Sequence, residues 1–297
     1  MGQTHLRALV GLDNVRVVVV AEPVEALREH AVATFGVKGF ASLDDLLASD
    51  EADGILIVTP SDSHVEVIAK VAAAGLPILC EKPCGVTPAD TREAQRLVRE
   101  AGVALQIAYW RRFVPELQAL RERILRGDFG EVLSVSCLQW DSEPPTPAFR
   151  ARSGGVFVDM GVHEFDQARW LTSSDFSSFT AVASTVVTDP ESAGDLDAAQ
   201  VLAATTSGAT VFVSLGRHFA DGDMASVEVF GTKDHAIIVF LDPEDGERAQ
   251  LEALRHQASS FADYARGGLC LGATVDDAIA ALSAAASAAD QVAHANA

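Results

Sequence analysis

Lysines, cysteines and long apolar runs are scarce in this sequence, and each scarcity excludes a class of protein. Lysine occurs only at positions 38, 70, 82 and 233, and the formal net charge is −20. Because nucleic-acid binding relies on concentrated basic patches and the arginines are scattered, we expect no nucleic-acid partner. No apolar run reaches the ~20 residues that span a bilayer, so we expect no membrane partner. The first residues lack the order of a signal peptide, which favours a cytoplasmic protein.

Cysteine is too rare for a disulfide framework. The cysteines are Cys80, Cys84, Cys137 and Cys270. Cys80 and Cys84 have no second Cys/His pair at metal-ligand spacing, which disfavours a zinc knuckle. We interpret all of them as reduced, structural thiols of a cytosolic chain.

The first part of the chain alternates short β-branched runs with amphipathic helices. Candidate strands lie at 15–21, 53–59, 77–80 and 103–108, and candidate helices at 23–35, 65–74 and 88–101. This regular order is typical of a parallel sheet with helices on both faces. The apolar run at 15–21 is also typical of a strand that is covered on both faces. The sequence therefore predicts an α/β, Rossmann-type domain with a doubly wound parallel sheet over residues 1–108.

After residue 108 the pattern changes to strands joined by short turns. A helix at 115–126 and a strand at 131–140 precede strands at 179–187, 198–205, 210–215, 226–230 and 236–240, and an Ala-rich helix at 275–294. Strands joined by such turns are typical of an antiparallel sheet. We predict a second, α+β domain over 109–297, built on a largely antiparallel open sheet. We expect the last helix to pack back on the first domain.

The tripeptide Glu81-Lys82-Pro83 directly follows a predicted parallel strand. It would lie at the carboxyl edge of the sheet, where doubly wound sheets bind ligands. The tripeptide alone is a weak signal, and a surface lysine paired with its neighbouring glutamate explains it better when it is taken in isolation.

A second motif runs from Gly154-Gly155 to Asp166 and contains Asp159 and His163. On a helix, Asp159 and His163 are four residues apart, and Asp166 lies one turn beyond His163 on roughly the same face. A carboxylate beside a histidine can fix its tautomer and raise its basicity, as a general base requires. Two alternatives stay open: a helix start with Asp159 as cap and His163 as a satisfied polar residue, or a metal site that lacks a further ligand.

Taken in order along the chain, these motifs resemble the glucose–fructose oxidoreductase, inositol dehydrogenase and rhizopine-catabolism family of dehydrogenases. The matching marks are Thr59-Pro60 with His64, Glu81-Lys82-Pro83, Arg111-Arg112-Phe113, Gly154-Gly155 through Asp166, the hairpin around Gly231-Thr232-Lys233 and the closing Ala-rich helix. Each mark is modest, but their shared order over much of the chain makes the joint resemblance strong.

The resemblance implies a Rossmann domain for NAD or NADP and a second domain whose open sheet mediates contacts in a homodimer or homotetramer. It implies that Lys82 lies beside the nicotinamide and the reacting hydroxyl, that His163 takes the hydroxyl proton, and that Asp159 supports the site. Arg112 and Asp141 would contact a polyol, and no metal is required. The implied cofactor-binding residues are Gly2, Glu22, Thr59, Pro60, His64, Glu81 and Lys82.

The sequence departs from the family at its start. The family's first strand and the first two glycines of its G-x-G-x-x-G turn are missing, and Gly2 takes the place of the third glycine. Those glycines permit a tight turn and a close approach to pyrophosphate. Either an upstream start was missed, or the chain as written binds cofactor poorly or not at all.

Glu22 is the clue to the choice of cofactor. It follows the strand at 15–21, where an acidic side chain accepts hydrogen bonds from the adenosine ribose and repels a 2′-phosphate, so NAD is favoured over NADP. The alternative is an ordinary acidic residue at the start of the next helix.

We therefore expect a dehydrogenase that oxidises a secondary hydroxyl of a cyclic polyol or sugar with NAD. Trp140-Asp141 and residues 109–113 resemble the inositol-dehydrogenase side of the family, although core packing explains isolated aromatics equally often. Two other classes stay open. One is an NAD-dependent glycoside hydrolase of the same fold, and the other is a non-catalytic sugar-binding or assembly protein.

Overall fold

A computed structural model describes residues 1–187 and 195–295, which form two regions with separate sheets. The strands of the first region are β1 (Val19–Ala21), β2 (Lys38–Phe40), β3 (Ile55–Ile57), β4 (Ile78–Cys80) and β5 (Leu105–Ile107). Its helices are α1 (Gly2–Leu9), α2 (Glu25–Phe35), α3 (Leu43–Ala48), α4 (His64–Ala73) and α5 (Pro88–Ala101). β1 pairs with β2, and β3, β4 and β5 form a second group, all in parallel. The predicted α/β order is confirmed.

Helix α5 forms where its end signals predict it. Thr87 at the N-cap accepts a hydrogen bond from the Asp90 amide, and the Asp90 carboxylate accepts one from the Thr87 amide. Two N–H groups that have no partner within the helix are satisfied in this way. Pro88 begins the helix, and Gly102 ends it in the left-handed region with φ of 70°.

The first region also differs from the prediction. The apolar run at 15–21 forms only the short strand β1, whose residues are half-buried or exposed, so the expectation of cover on both faces is wrong. Among the described strands, β1 pairs with β2 alone. The sequence does not predict β2 or α3. Both are short, and α3 is marked mainly by its cap, in which the Ser42 hydroxyl accepts from the Asp45 amide.

The second region is built on a six-stranded sheet. Its strands are β6 (Val132–Trp140), β7 (Phe176–Ser184), β8 (Ala198–Thr205), β9 (Thr210–Gly216), β10 (Met224–Gly231) and β11 (His235–Leu241), in the spatial order β11-β10-β6-β9-β8-β7. The largely antiparallel sheet is confirmed. Its one parallel pair among the described strands is β6 with β9, in which Trp140 lies opposite Gly216. The carboxyl ends of these two strands therefore meet at the same edge.

Helices cover one face of this sheet. They are α6 (Pro115–Leu125), α8 (Val162–Thr172), α9 (Gly246–Ala265) and α10 (Val275–Ala295), whereas the short helix α7 (Pro147–Arg150) follows β6 in the chain and has no buried residues. Alternate side chains on the central strands are buried, such as Val135 and Cys137 on β6 and Val211 and Val213 on β9. α8 packs on β6 and β9, and α10 packs on α8 and β7 and also on α5 and β5 of the first region.

The sequence does not predict α9, which packs on α1 and on the single turn Trp110–Phe113. The Arg255 guanidinium donates to the carbonyl oxygens of Ala8 and Val10, each at 2.6 Å. These are carbonyls at the end of α1 that lack helical partners. α9 therefore ties the second region to the start of the chain. Across both described stretches, every helix is too short or too polar to cross a bilayer.

Candidate active site

Lys82 lies where parallel strand β4 ends, and its side chain reaches the second region. Its Nζ donates to the backbone carbonyl oxygen of Asp159 at 2.6 Å and lies 3.5 Å from Oδ1 of the same residue. The Lys82 side chain is 17% exposed, so its ammonium is largely shielded from water. A surface pair between Lys82 and Glu81 is excluded, because the Glu81 carboxylate is buried and bonded to His5.

Asp159 lies in a π-helical turn, Phe157–Gly161, that leads into α8. Gly154 and Gly155 precede this turn with φ of 83° and 82°, a region that glycine tolerates and most residues avoid. The segment is helical, as the motif predicts, but it begins with a wider turn. Single π turns within helices are frequent at functional sites.

His163 is buried in the first turn of α8. Its Nδ1 has no hydrogen-bond partner among the described residues, and its ring meets the ring of Tyr109 edge-on, with centroids 5.9 Å apart. Burial, followed by the positive charges of Lys82 and Arg111, holds the pKa of His163 well below its usual value of 6.5. The imidazole is therefore neutral near neutral pH and can accept a proton.

Asp166 and Arg112 form a separate ion pair. The Arg112 guanidinium donates to both carboxylate oxygens of Asp166, at 2.9 and 2.6 Å, and lies 3.2 Å from Asp277. Arg112 is 7% exposed, and a buried guanidinium requires such carboxylate partners. Arg112 thus joins the turn before α6 to α8 and α10, and its expected contact with a polyol stays a prediction. Among the described contacts, no carboxylate hydrogen-bonds to His163, so the expected fixing of its tautomer is also wrong.

Arg217 is a functional candidate that the sequence analysis missed. It follows β9, is 1% exposed, and donates from Nη1 to Asp159 Oδ2 at 2.9 Å. The same nitrogen lies 3.6 Å from Asp141, and Nη2 lies 3.2 Å from Asp195. Asp141, expected to contact a polyol, also accepts from the Gln139 amide at 3.0 Å. Burial raises the pKa of Asp141, while the Gln139 hydrogen bond and the Arg217 charge oppose that rise.

A second buried network supports Gln139. Arg111 donates from Nη1 to Glu164 at 2.6 Å and to Gln167 at 3.1 Å, and from Nη2 to Gln139 at 2.5 Å. Burial raises the pKa of Glu164, and the charge of Arg111 and its hydrogen bond oppose that rise. Gln139 in turn holds Asp141, so this network fixes one wall of the site.

Glu81 lies beneath the carboxyl edge and not on it. Its carboxylate, 5% exposed, accepts from His5 Nε2 at 2.6 Å and from the Lys82 amide at 3.1 Å. Burial alone would raise the pKa of Glu81, but the His5 hydrogen bond and charge, with the Lys82 charge, lower it. Glu81 thus joins α1 to the backbone of Lys82, and its expected part in cofactor binding stays a prediction.

His64 is also an internal residue. It is 1% exposed, and its ring nitrogens lie 2.8 Å from the carbonyl oxygens of Pro83 and Thr59. It therefore holds together the segments that follow β3 and β4. The expected contact of His64 with a cofactor stays a prediction.

The other residues expected to bind cofactor lie at the carboxyl edge itself. Thr59 and Pro60 are exposed after β3, and Gly2 begins α1 without a side-chain cap. Glu22 is half-buried after β1, and its Oε1 accepts a hydrogen bond from the amide two residues further on at 2.8 Å. A helix N-terminus and an acidic residue at the ends of parallel strands fit the phosphates and ribose of a dinucleotide.

The described side chains do not form a metal site. Over residues 1–187 and 195–295, no group of three or more His, Cys, Asp or Glu side chains could hold a metal ion. The cysteines are free thiols, with Cys80, Cys84 and Cys137 buried and Cys270 half-buried.

A parallel sheet whose carboxyl edge fits a dinucleotide, next to a lysine, a carboxylate and a neutral histidine, defines the class of NAD-dependent dehydrogenases. Residues 1–109 match an oxidoreductase family with an NAD-binding Rossmann fold, and residues 117–237 match the GFO/IDH/MocA C-terminal domain. The chain is 47% identical to the rhizopine catabolism protein MocA of Rhizobium meliloti over 282 residues, 95% of this chain and 89% of the relative. It therefore belongs to the GFO/IDH/MocA family and is an NAD-binding oxidoreductase.

Two further similarities agree with this assignment. Inositol 2-dehydrogenase of Rhizobium meliloti (strain 1021) is 33% identical over 234 residues, 78% of this chain and 71% of the relative. A solved structure from Sinorhizobium meliloti 1021, of a protein assigned as a myo-inositol dehydrogenase, superposes with a TM-score of 0.92 at 30% identity. That similarity covers 99% of this chain and 94% of the other.

Proposed function

We propose that this chain oxidises a secondary hydroxyl of a cyclic polyol and transfers the hydride to NAD. The proposal depends on the contact between Lys82 and Asp159 at the carboxyl edge of the parallel sheet. The neutral base His163 lies one turn beyond Asp159 in the same segment, so all three groups belong to one site. A cation, a carboxylate and a proton acceptor are thus combined beside the dinucleotide edge. A relative named for its action on inositol supports a cyclic polyol as the substrate.

Lys82 stabilises negative charge in this proposal. An ammonium has three N–H donors, and Asp159 accepts one at its carbonyl oxygen, with its carboxylate 3.5 Å away. These contacts orient the side chain and leave a further donor for the oxygen of the reacting hydroxyl. The positive charge then favours the alkoxide character that develops as the proton leaves. NAD supplies the hydride acceptor when it is bound.

His163 receives the hydroxyl proton. Because burial and the neighbouring cations lower its pKa, the imidazole is unprotonated when the alcohol arrives. A positioned base of this kind contributes about 10²–10⁴-fold in rate. The low pKa also means that the acquired proton is readily passed on, so the base is restored for the next turnover.

Two carboxylates set the choice of ligand. Asp141 is 24% exposed and held by Gln139, so it can accept hydrogen bonds from polyol hydroxyls other than the reacting one. Glu22, after β1, would accept from the adenosine ribose and repel a 2′-phosphate, which supports NAD over NADP.

The test is NADH formation with a panel of cyclic polyols and sugars. Lys82→Ala should lose about 10²-fold or more in turnover while NADH still binds, because charge stabilisation at the oxygen is lost. Lys70→Ala is the matched control, since Lys70 is an exposed lysine paired only with Asp44. Near-normal turnover in Lys82→Ala, or no NADH formation by the unaltered chain with any cyclic polyol, would refute the proposal.

A second copy of this chain is the proposed partner of the open sheet face. The strand register places Val182, Leu202, Phe230, Ile237 and Val239 on the face opposite the buried one, and each is at least 42% exposed. Monomers rarely expose an apolar patch that spans a whole sheet. We expect a homodimer or homotetramer by analytical ultracentrifugation.

Substitution on the same face tests the assembly. Leu202→Lys should release monomers, because a charge would be buried in the interface. Leu269→Lys is the control, since Leu269 is exposed outside the sheet. Equal sedimentation of both variants and the unaltered chain would argue against this interface.

We also propose a cytoplasmic location. The support is that the described cysteines are free thiols, as expected in a reducing compartment. Fractionation that finds the protein outside the cytoplasm would contradict it.

A further inference from the structure

Arg217 is among the most deeply buried large side chains of the described residues, and it is a cation surrounded by carboxylates. Asp159 accepts a hydrogen bond from Nη1, Asp141 lies 3.6 Å from the same nitrogen, and Asp195 lies 3.2 Å from Nη2. With 1% of its surface exposed, Arg217 has almost no contact with water. Such a residue is retained inside a protein only where its charge is matched.

The parallel pairing of β6 and β9 explains this position. Trp140 lies opposite Gly216, so the next residues, Asp141 and Arg217, leave the two strands side by side at one edge. The Asp141 amide donates to the Gly216 carbonyl at 2.9 Å, which extends the pairing to this point. Because side chains alternate along a strand, Asp141 and Arg217 both point to the buried face, where the π turn carries Asp159.

Asp159 is therefore held from two sides by cations. Its Oδ2 accepts from Arg217, while its Oδ1 and its carbonyl oxygen face Lys82. Arg217 thus sets the direction in which Asp159 presents its second oxygen to the catalytic lysine.

The charges around Asp159 also require Arg217. The titratable and charged groups that face it or its partners are Lys82 after β4, Arg111 in the turn before α6, His163 and Glu164 on α8, Arg217 after β9, Asp141 after β6, Asp195 before β8 and Asp223 before β10. Without Arg217, three buried or half-buried carboxylates would face one another with Lys82 as the nearest cation. Like charges at such distances cannot all stay ionised, so one carboxylate would take up a proton.

We propose that Arg217 is a positioning residue for the dehydrogenase reaction: it holds the Asp159 carboxylate aimed at Lys82, and it does not itself touch the substrate. This inference rests on the proposed polyol oxidation for its kinetic consequence. Its structural part, the neutralisation of the surrounding carboxylates by Arg217, can be measured without turnover.

The experiment compares Arg217→Gln, Arg217→Lys and the double variant Arg217→Gln/Asp159→Asn in the full chain. In Arg217→Gln we expect turnover to fall ~100-fold, because small misplacements of a catalytic group cost about that much, while NADH affinity stays unchanged. Its rate should also rise with pH through a new step, as the carboxylate loses the proton it has gained. Arg217→Lys keeps the charge, so it should lose rate without gaining the new step.

Infrared difference spectroscopy supplies the readout that does not depend on the reaction. Arg217→Gln should show the carbonyl band of a protonated, buried carboxylic acid at neutral pH, and the double variant, which has one carboxylate fewer in this cluster, should show a weaker band. If the band follows this pattern but no cyclic polyol is oxidised by the unaltered chain, the inference holds and the proposed function fails. If the unaltered chain oxidises a polyol and Arg217→Gln matches it in rate, pH profile and spectrum, the inference is overturned.

The Arg217→Lys variant keeps the inference testable when the glutamine variant fails to fold. If Arg217→Gln does not fold, Arg217→Lys decides. A folded Arg217→Lys with at least ~10-fold slower turnover and normal NADH affinity supports the positioning role, since lysine lacks the fork that engages several oxygens. Unaltered turnover in that variant refutes it.

Discussion

Replacing His163 with Asn should change the pH dependence of stability in a direction that the buried site dictates. His163 is 6% exposed, and its pKa is lowered by burial and by the charges of Lys82 and Arg111. The unfolded chain takes up a proton at this residue below about pH 6.5, whereas the folded chain does not. The stability that neutral His163 contributes is therefore fully present above that pH. It is lost as the pH falls towards the lowered pKa that His163 has in the folded chain.

The magnitude follows from proton linkage. When the unfolded state binds one more proton than the folded state, the free energy of unfolding falls by about 1.4 kcal/mol per pH unit. Asn cannot titrate, so the variant lacks this slope. Its lost contact with Tyr109 and any new polar burial cost are independent of pH and cancel when slopes are compared. Between about pH 6.5 and 5.5 the unfolded histidine goes from about half to about nine-tenths protonated, so the unaltered chain should lose about 1 kcal/mol relative to the variant.

Urea unfolding at several pH values between about 7.5 and 5 measures this difference directly. Plots of the free energy of unfolding against pH should converge for the two proteins as the pH falls. The free energy of unfolding of the variant should depend less on pH. Parallel stability–pH curves would refute the argument, because they would mean that His163 binds a proton equally well in both states. In steady-state assays, the unaltered enzyme should keep its rate below the usual histidine pKa, and His163→Asn should be about 10²-fold slower or more.

Three further predictions concern the support of the site. Arg112→Gln should lower the free energy of unfolding by about 3–5 kcal/mol, since it leaves Asp166 buried without its partner; a loss below about 1 kcal/mol in urea would contradict the buried pair. His5→Leu should destabilise the fold by about 3 kcal/mol near neutral pH, because Glu81 is left as a buried carboxylate without its side-chain partner. That loss should shrink as acid protonates Glu81, whose pKa would then be raised instead of lowered, and a loss independent of pH would argue against the pair. Thr87→Ala should cost about 1 kcal/mol through the cap of α5, with Thr87→Ser close to the unaltered chain; equal stability of both variants would contradict the capping role.

The helices and strands could be predicted from the sequence where signals for their ends coincide with a regular pattern of apolar residues. Thr87, Pro88 and Gly102 mark both ends of α5, and the predicted strands of the second sheet agree with the observed ones to within a few residues. Short elements such as β2 and α3 carry too few residues for a period to be detected. α9 was missed although it is long, because its polar and small residues leave a weak apolar stripe between two better-marked elements.

The site was predictable only in part, for reasons of distance along the chain. Lys82 and Asp159 are separated by 77 positions. Their presence in one site was expected from the resemblance and not from spacing, and their direct contact was not expected. Arg112 and Asp166 each looked available, and only the packing of α8 against the turn before α6 pairs them. The available signal for Arg217 was an arginine at the end of an apolar strand, and such an arginine is far more often at the surface.

The parallel pair within the antiparallel sheet links the fold to the proposed chemistry. In an antiparallel pairing of β6 with β9, the ends of the two strands would point to opposite edges, and Asp141 and Arg217 could not be neighbours. The observed pairing places both at the edge that carries Asp159, and Lys82 arrives there from the end of β4 in the other region. Lys82, the proposed catalytic cation, and Arg217, the proposed positioning residue, thus come from different sheets, and among the described residues Asp159 contacts both. Any relative movement of the two regions therefore changes the contacts of this carboxylate. Loss of the Asp159 contacts should lower the reaction rate more than it lowers the stability of either region.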